Sequence, residues 1–113
     1  MVRVKIIDSL EKEIRKKFKR ESITIFKHLK SLEKSPTKGK RLGTFAGTIV
    51  KELKYEKFRF YFLVEGKDLK FLSKKELEDY LIKFVRMSDK KSQQKTINEI
   101  REILTKIGSK GFE

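Results

Sequence analysis

Apolar and polar positions alternate over VRVKII (2–7), with β-branched side chains on several of them, and predict a strand. The period then changes. Leu10, Ile14 and Phe18 recur every four residues and form one stripe of a helix, with Lys12, Arg15, Lys16, Lys17, Lys19 and Arg20 around it. Asp8, followed three residues later by Glu11, has the spacing of a capping box that opens this helix. The pattern breaks near Glu21, where Ser22 can cap a second helix carrying the stripe Ile25, Leu29 and Leu32. Pro36 and Gly39 end the helical pair, and SPTKGKRLGTFAG (35–47) reads as a basic connecting loop with glycine at three places.

Strand patterns follow. TIVKELKY (48–55) and FRFYFLV (58–64) both alternate and are separated only by Glu56 and Lys57, which predicts a tight hairpin. That turn sets the register: Tyr55 opposite Phe58, Lys54 opposite Arg59, Leu53 opposite Phe60 and Glu52 opposite Tyr61. Leu53, Phe58, Phe60 and Phe62 then share the face that packs on the helices, and Glu52, Lys54, Arg59 and Tyr61 share the other. DLKFL (68–72) reads as a further short strand, SKKELED (73–79) as a polar excursion of about one helical turn, and YLIKFVRM (80–87) as the last strand. From Ser92 the residues Ile97, Ile100, Leu104 and Ile107 repeat at helical spacing up to Gly108, which can terminate a C-terminal helix. The expected class is α+β. An N-terminal strand and a helical hairpin pack on one face of a twisted antiparallel sheet of three to five strands, leaving the other face available. One domain is expected over 1–108, with 109–113 as a tail.

Composition narrows the chemistry. The 113 residues suit a single modest core, built around nine Phe. With no Cys, disulfides, thiolate metal sites and thiol nucleophiles are excluded, and a single His, His28, excludes a histidine-rich metal centre. His28 sits beside Ile25 and Leu29 on the second helix and reads as a structural residue, on an element remote from the hairpin. Thirty Lys and Arg against sixteen Asp and Glu give a formal charge of +14 and a pI near 10.0. Such an excess calls for a polyanionic partner, most often nucleic acid, because each cation placed against a phosphate releases condensed counterions. The opening segment carries no apolar stretch of a secretory leader, and neither helix has the stripe of an interfacial membrane helix. The expectation is a soluble, cytoplasmic protein without membrane partner, metal or cofactor.

The segment from Phe58 to Ile100 resembles the RelE/ParE toxin superfamily, and within it the phage-derived HigB-like branch. Two features carry the likeness. One is the aromatic strand with an early arginine, Phe58-Arg59-Phe60-Tyr61-Phe62, directly after a tight hairpin. The other, more specific, is the element Lys90-Lys91-Ser92-Gln93-Gln94-Lys95-Thr96 running into a helix. The stretch 32–42 is also similar to the one preceding the sheet in that superfamily. The excursion 73–79 is longer than the usual link, and Glu52 stands where a gap-free alignment would place a catalytic Lys.

The resemblance implies an endoribonuclease that cleaves messenger RNA, commonly on the ribosome, by metal-free attack of the substrate's 2′-hydroxyl on the adjacent phosphate, and that is held inactive by a cognate antitoxin. Such chemistry needs a base, cations around the developing phosphorane and an acid for the leaving 5′-oxygen. Arg59 matches the family's strand arginine and is the first candidate to hold the phosphate, since a planar guanidinium binds phosphate oxygens bidentately. Lys54 is its expected neighbour. Lys51 is the other candidate for the hairpin lysine, but alternation turns it to the opposite face. Arg86, Lys90 and Lys91 are the remaining catalytic candidates, with register leaving the choice among them open. Lys38, Lys40, Arg41 and Lys95 are expected RNA contacts, and Tyr61 is a candidate to stack a base. Two other functions fit the same sequence: a non-catalytic RNA- or ribosome-binding protein, and a ParE-like protein acting on a topoisomerase by protein contacts.

Overall fold

The computed structural model describes residues 2–45, 47–87 and 94–111. Its elements follow in the order β1 (Arg3–Ile6), α1 (Asp8–Phe18), α2 (Ser22–Lys30), β2 (Lys40–Phe45), β3 (Thr48–Tyr55), β4 (Phe58–Glu65), β5 (Asp68–Leu72), α3 (Lys74–Met87) and α4 (Gln94–Gly111). The class is α+β, with the expected N-terminal strand, helical hairpin and C-terminal helix. The sheet order is β1-β5-β4-β3-β2, and β1 runs parallel to β5 while every other pair is antiparallel. The sheet is therefore mixed. Hairpins fix the directions of β2 to β5 in turn, whereas β1 reaches the sheet through the α1–α2 hairpin and is free to lie parallel.

Three elements depart from the sequence expectation. YLIKFVRM is not a strand but the second half of α3, and the polar excursion before it is that helix's first half. Ser73 opens it: the Glu76 backbone N–H donates to Ser73 Oγ at 3.1 Å, Ser73 Oγ donates to Glu76 Oε1 at 2.9 Å, and the Leu77 N–H meets the Ser73 carbonyl at 2.9 Å. The apolar run 80–85 looks like a strand in isolation, but Leu77 and Leu81, one helical turn apart, are both fully buried. Within the expected loop 35–47, residues 40–45 form the edge strand β2, hidden by a register break between Arg41 and Gly43. The caps foreseen for α1 and α2 do not form. Ile7 occupies the N-cap position of α1 and Glu21 that of α2, neither with a side-chain bond, and the buried Ser22 hydroxyl turns back to the carbonyls of Lys19 and Ile14.

The larger departure is that both faces of the sheet are covered. Val4, Leu53, Phe60, Phe62, Leu69 and Phe71 pack with Leu10 and Ile14 of α1 and Ile25 and Leu29 of α2. On the opposite face Leu42, Phe45, Val50, Tyr61, Leu63 and Leu72 pack with Leu77 and Leu81 of α3 and Ile100, Ile103 and Ile107 of α4. Strand β4 lies between these two cores, with Phe60 to Leu63 all buried. Its near-continuous apolar run is the pattern of a strand covered on both sides.

The edges are closed by polar side chains and by α4. On the outer side of β1, Glu33 Oε2 accepts the Val4 N–H at 2.9 Å and Lys30 Nζ donates to the Val4 carbonyl at 3.3 Å. These bonds satisfy backbone groups that would otherwise offer a pairing edge. On β2, Lys106 of α4 donates to the Leu42 carbonyl at 2.8 Å. Gly43 lets α4 come this close, because a Cβ there would lie 2.5 Å from Ile103 Cγ1.

Candidate nucleic-acid interface

The β3–β4 hairpin forms in the expected register, with Lys54 opposite Arg59 and Glu52 opposite Tyr61. Of the sheet face expected to be open, this hairpin end remains accessible, with Lys54 and Arg59 both exposed, and so does the β1–β5 end, where Lys5 and Lys70 are exposed. Two cations directly across a strand pair repel. Glu52 offsets this in part, its Oε2 lying 3.7 Å from Arg59 Nη1 on a carboxylate whose side chain is only 12% exposed.

Arg59 also borders a cleft of about 420 Å³ at the point where β5 ends. Tyr61 pairs with Leu72, the last residue of β5, and the chain then turns away into α3. In both two-residue hairpins the residues flanking the turn form a hydrogen-bonded pair, so even-numbered residues of β4 bond β3 and odd-numbered ones bond β5. The backbone N–H and C=O of Arg59 therefore face the cleft beyond the end of β5. One wall is α1, contributing Glu13, Lys17 and Phe18, and the other is the start of α3, contributing Lys74 and Lys75, with Phe58 on the strand between them. Ser9 of α1 donates to Glu76 Oε1, which ties the two walls together. Lys17, Arg59, Lys74 and Lys75, drawn from three elements, thus meet around one concavity. It can hold an anion, and its half-buried rings can receive a flat apolar group.

Two groups lie deeper. Tyr61, the expected base-stacking residue, lines the cleft but is only 6% exposed and packs in the core beneath α3 and α4. Burial pushes its phenol pKa up, with Glu52 and Glu78 adding to this and Arg59 opposing. Glu78 of α3 is 7% exposed and its Oε1 has no hydrogen-bond partner among the described residues. Its carboxyl pKa is raised, chiefly by burial, with Lys74 opposing and Asp79 adding.

The other expected residues are not gathered here. Lys51 points to the α1–α2 side, as alternation required; its Nζ donates to the Thr37 carbonyl at 3.2 Å and lies 5.9 Å from the centre of the Phe62 ring. Lys38, Lys40 and Arg41 are exposed at and just before β2, where Lys40 pairs with Glu52 and Arg41 donates to Thr44 Oγ1. Arg86 is exposed near the end of α3; twelve residues beyond Lys74, it lies about 18 Å further along the axis and cannot join Arg59 at one phosphate. Lys95 is exposed in the first turn of α4. Lys90 and Lys91 lie outside the described residues. His28, read as remote from the hairpin, touches it: its Nε2 is 3.2 Å from the Lys54 carbonyl and its ring centre 5.6 Å from that of Tyr55.

The contributors that escaped the sequence reading include Glu13, Lys17, Phe58, Lys74 and Lys75. Lys17 was one of many cations on a helix and Phe58 one of a strand's apolar set. The Ser73-x-x-Glu76 spacing was the available signal for a helix start that places Lys74 and Lys75 at its opening turn. Among the described residues, no group of three or more His, Asp or Glu is placed to hold a metal ion, and no helix is long and apolar enough to cross a membrane. No family model, curated protein or solved structure matches this chain.

Proposed function

We propose that the protein binds RNA and holds the phosphate backbone in the Arg59 cleft. The observation that carries this reading is the meeting of Arg59 with Lys17, Lys74 and Lys75 around one concavity in a chain of net charge +14. Cations clustered on one surface give the electrostatic footprint of a nucleic-acid binder, and a guanidinium beside a backbone N–H that faces the same cleft offers directional donors for phosphate oxygens.

A second reading, endoribonucleolytic cleavage, is favoured by Glu13, a carboxylate lining the same cleft. In that reaction Glu13 takes the proton of a ribose 2′-hydroxyl. The oxygen attacks the adjacent phosphorus, Arg59 stabilises the added negative charge, and the 5′-oxygen leaves with a proton from a lysine ammonium, giving a 2′,3′-cyclic phosphate. This is the reaction implied by the resemblance to the RelE/ParE superfamily, and with it go a cytoplasmic setting, messenger RNA on the ribosome as substrate and an antitoxin as partner. Neither Lys54 nor Arg86 is needed for it.

Mapping RNA 3′ ends after incubation with translating ribosomes and, separately, with naked RNA separates the two readings. Cleavage lost in Arg59→Ala and Glu13→Gln, both folded, supports the nuclease. Binding without cleavage supports the first reading alone, and neither binding nor cleavage overturns both.

A further inference from the structure

Beside the cleft, four rings stand in a row at the tip of the β3–β4 hairpin. Phe18, at the end of α1, meets Phe58 edge to face with centroids 4.8 Å apart. Phe58 is the cross-strand partner of Tyr55. Tyr55 in turn meets His28 of α2 at 5.6 Å with planes tilted by 54°. All four are half-buried, so they are neither sealed in the core nor scattered singly over the surface. Their fixing is specific: the Tyr55 hydroxyl donates to Glu21 Oε2 at 2.6 Å, which raises the phenol pKa to about 12, and the His28 ring is held by the Lys54 carbonyl. Two ammonium groups rest over the Phe58 ring, Lys17 Nζ at 4.9 Å and Lys57 Nζ at 5.7 Å.

We infer that Phe18, Phe58, Tyr55 and His28 form a stacking surface for the unpaired bases of single-stranded RNA, continuous with the cleft that holds its phosphates. The inference rests on the RNA-binding reading and adds where the bases lie. A cation over an aromatic face occupies the position a nucleobase takes when it stacks, and a flexible ammonium displaced from the ring reaches the phosphate flanking that base. Lys17 and Lys57 can each make this exchange. Phe58 and Phe18 line the cleft itself, so a strand whose phosphate sits at Arg59 brings its neighbouring base to Phe58. A duplex keeps its base faces stacked on one another and offers none to these rings.

The test compares a short ribo-oligonucleotide with a ribose-phosphate strand of equal length and charge that lacks bases, both titrated by fluorescence anisotropy at one salt concentration. The wild-type protein binds the base-bearing strand more tightly than the abasic one, and Tyr55→Leu, outside the cleft lining, lowers affinity for the first about tenfold while leaving the second unchanged. Leucine keeps the apolar volume, and the wild-type comparison stands even if a variant fails to fold. Equal binding of both strands by the wild type overturns the stacking surface while leaving RNA binding in place. Failure to bind either strand overturns both.

Discussion

Gly43 is where α4 is docked on the sheet, and adding one methyl group there is a sharp probe of the layer that closes the second face. A Cβ at position 43 would lie 2.5 Å from Ile103 Cγ1 and 3.0 Å from Ile103 Cδ1. Apolar carbons prefer about 3.5–4.0 Å, so roughly 1 Å of overlap must be relieved by moving Ile103 or the helix. Ile103 is fully buried between Ile100 and Ile107, which leaves it little room to turn. Overpacking of this kind costs about 1–3 kcal/mol, against which Gly→Ala in an extended segment returns about 0.5–1 kcal/mol. Gly43→Ala should therefore lose about 0–2.5 kcal/mol net. Ile103→Ala alone should lose about 2–5 kcal/mol through its cavity. In the double variant the new methyl enters that cavity, so the combined loss should fall short of the sum by about 1–2 kcal/mol. Urea unfolding followed by circular dichroism gives all four corners of the cycle. Costs that add to within about 0.5 kcal/mol would refute the direct contact of α4 with β2.

Two further perturbations test the same layer. Glu78 is buried with one oxygen unpartnered and its pKa raised above the ordinary 4.5, so the folded state holds this proton more tightly than the unfolded chain. Its contribution is fully present below pH 4.5 and is lost as pH rises through the folded-state value; Glu78→Gln should remove this decline, seen as a flatter Tm between pH 4.5 and neutrality. Ser73→Ala removes the acceptor for the Glu76 N–H at the start of α3 and should cost about 1 kcal/mol, with earlier loss of amide-exchange protection in the first turn of α3 than in α1.

Local pattern made the hairpin legible to the residue. Two facing alternating runs with only Glu56 and Lys57 between them admit one register, and Lys54 opposite Arg59 follows from it. The stripes of α1, α2 and α4 were legible for the same reason, since each repeats over enough turns to distinguish a helix. YLIKFVRM was too short for its period to decide between strand and helix, and the deciding cap lay seven residues upstream at Ser73. That single reassignment closed the face left open in the sequence reading, because α3 brings Leu77 and Leu81 over Tyr61. The run Phe60 to Val64 already carried the warning, being apolar on both faces. The cleft was legible only at Arg59 and Tyr61. Lys17, Lys74 and Lys75 reach it from elements far apart in the chain, and nothing in their local sequence distinguishes them from the other lysines on the surface.

The most direct test of RNA binding through the cleft is the salt dependence of affinity for a single-stranded RNA, measured for the wild type, Arg59→Ala and Lys95→Ala. All three carry comparable charge, so a protein that binds by net charge alone would treat the two variants alike. The cleft reading predicts that Arg59→Ala weakens binding and lowers the slope of log K against log salt by about 0.7, one phosphate contact on a single strand, while Lys95→Ala leaves the slope at the wild-type value. Equal slopes and affinities for the two variants would contradict it.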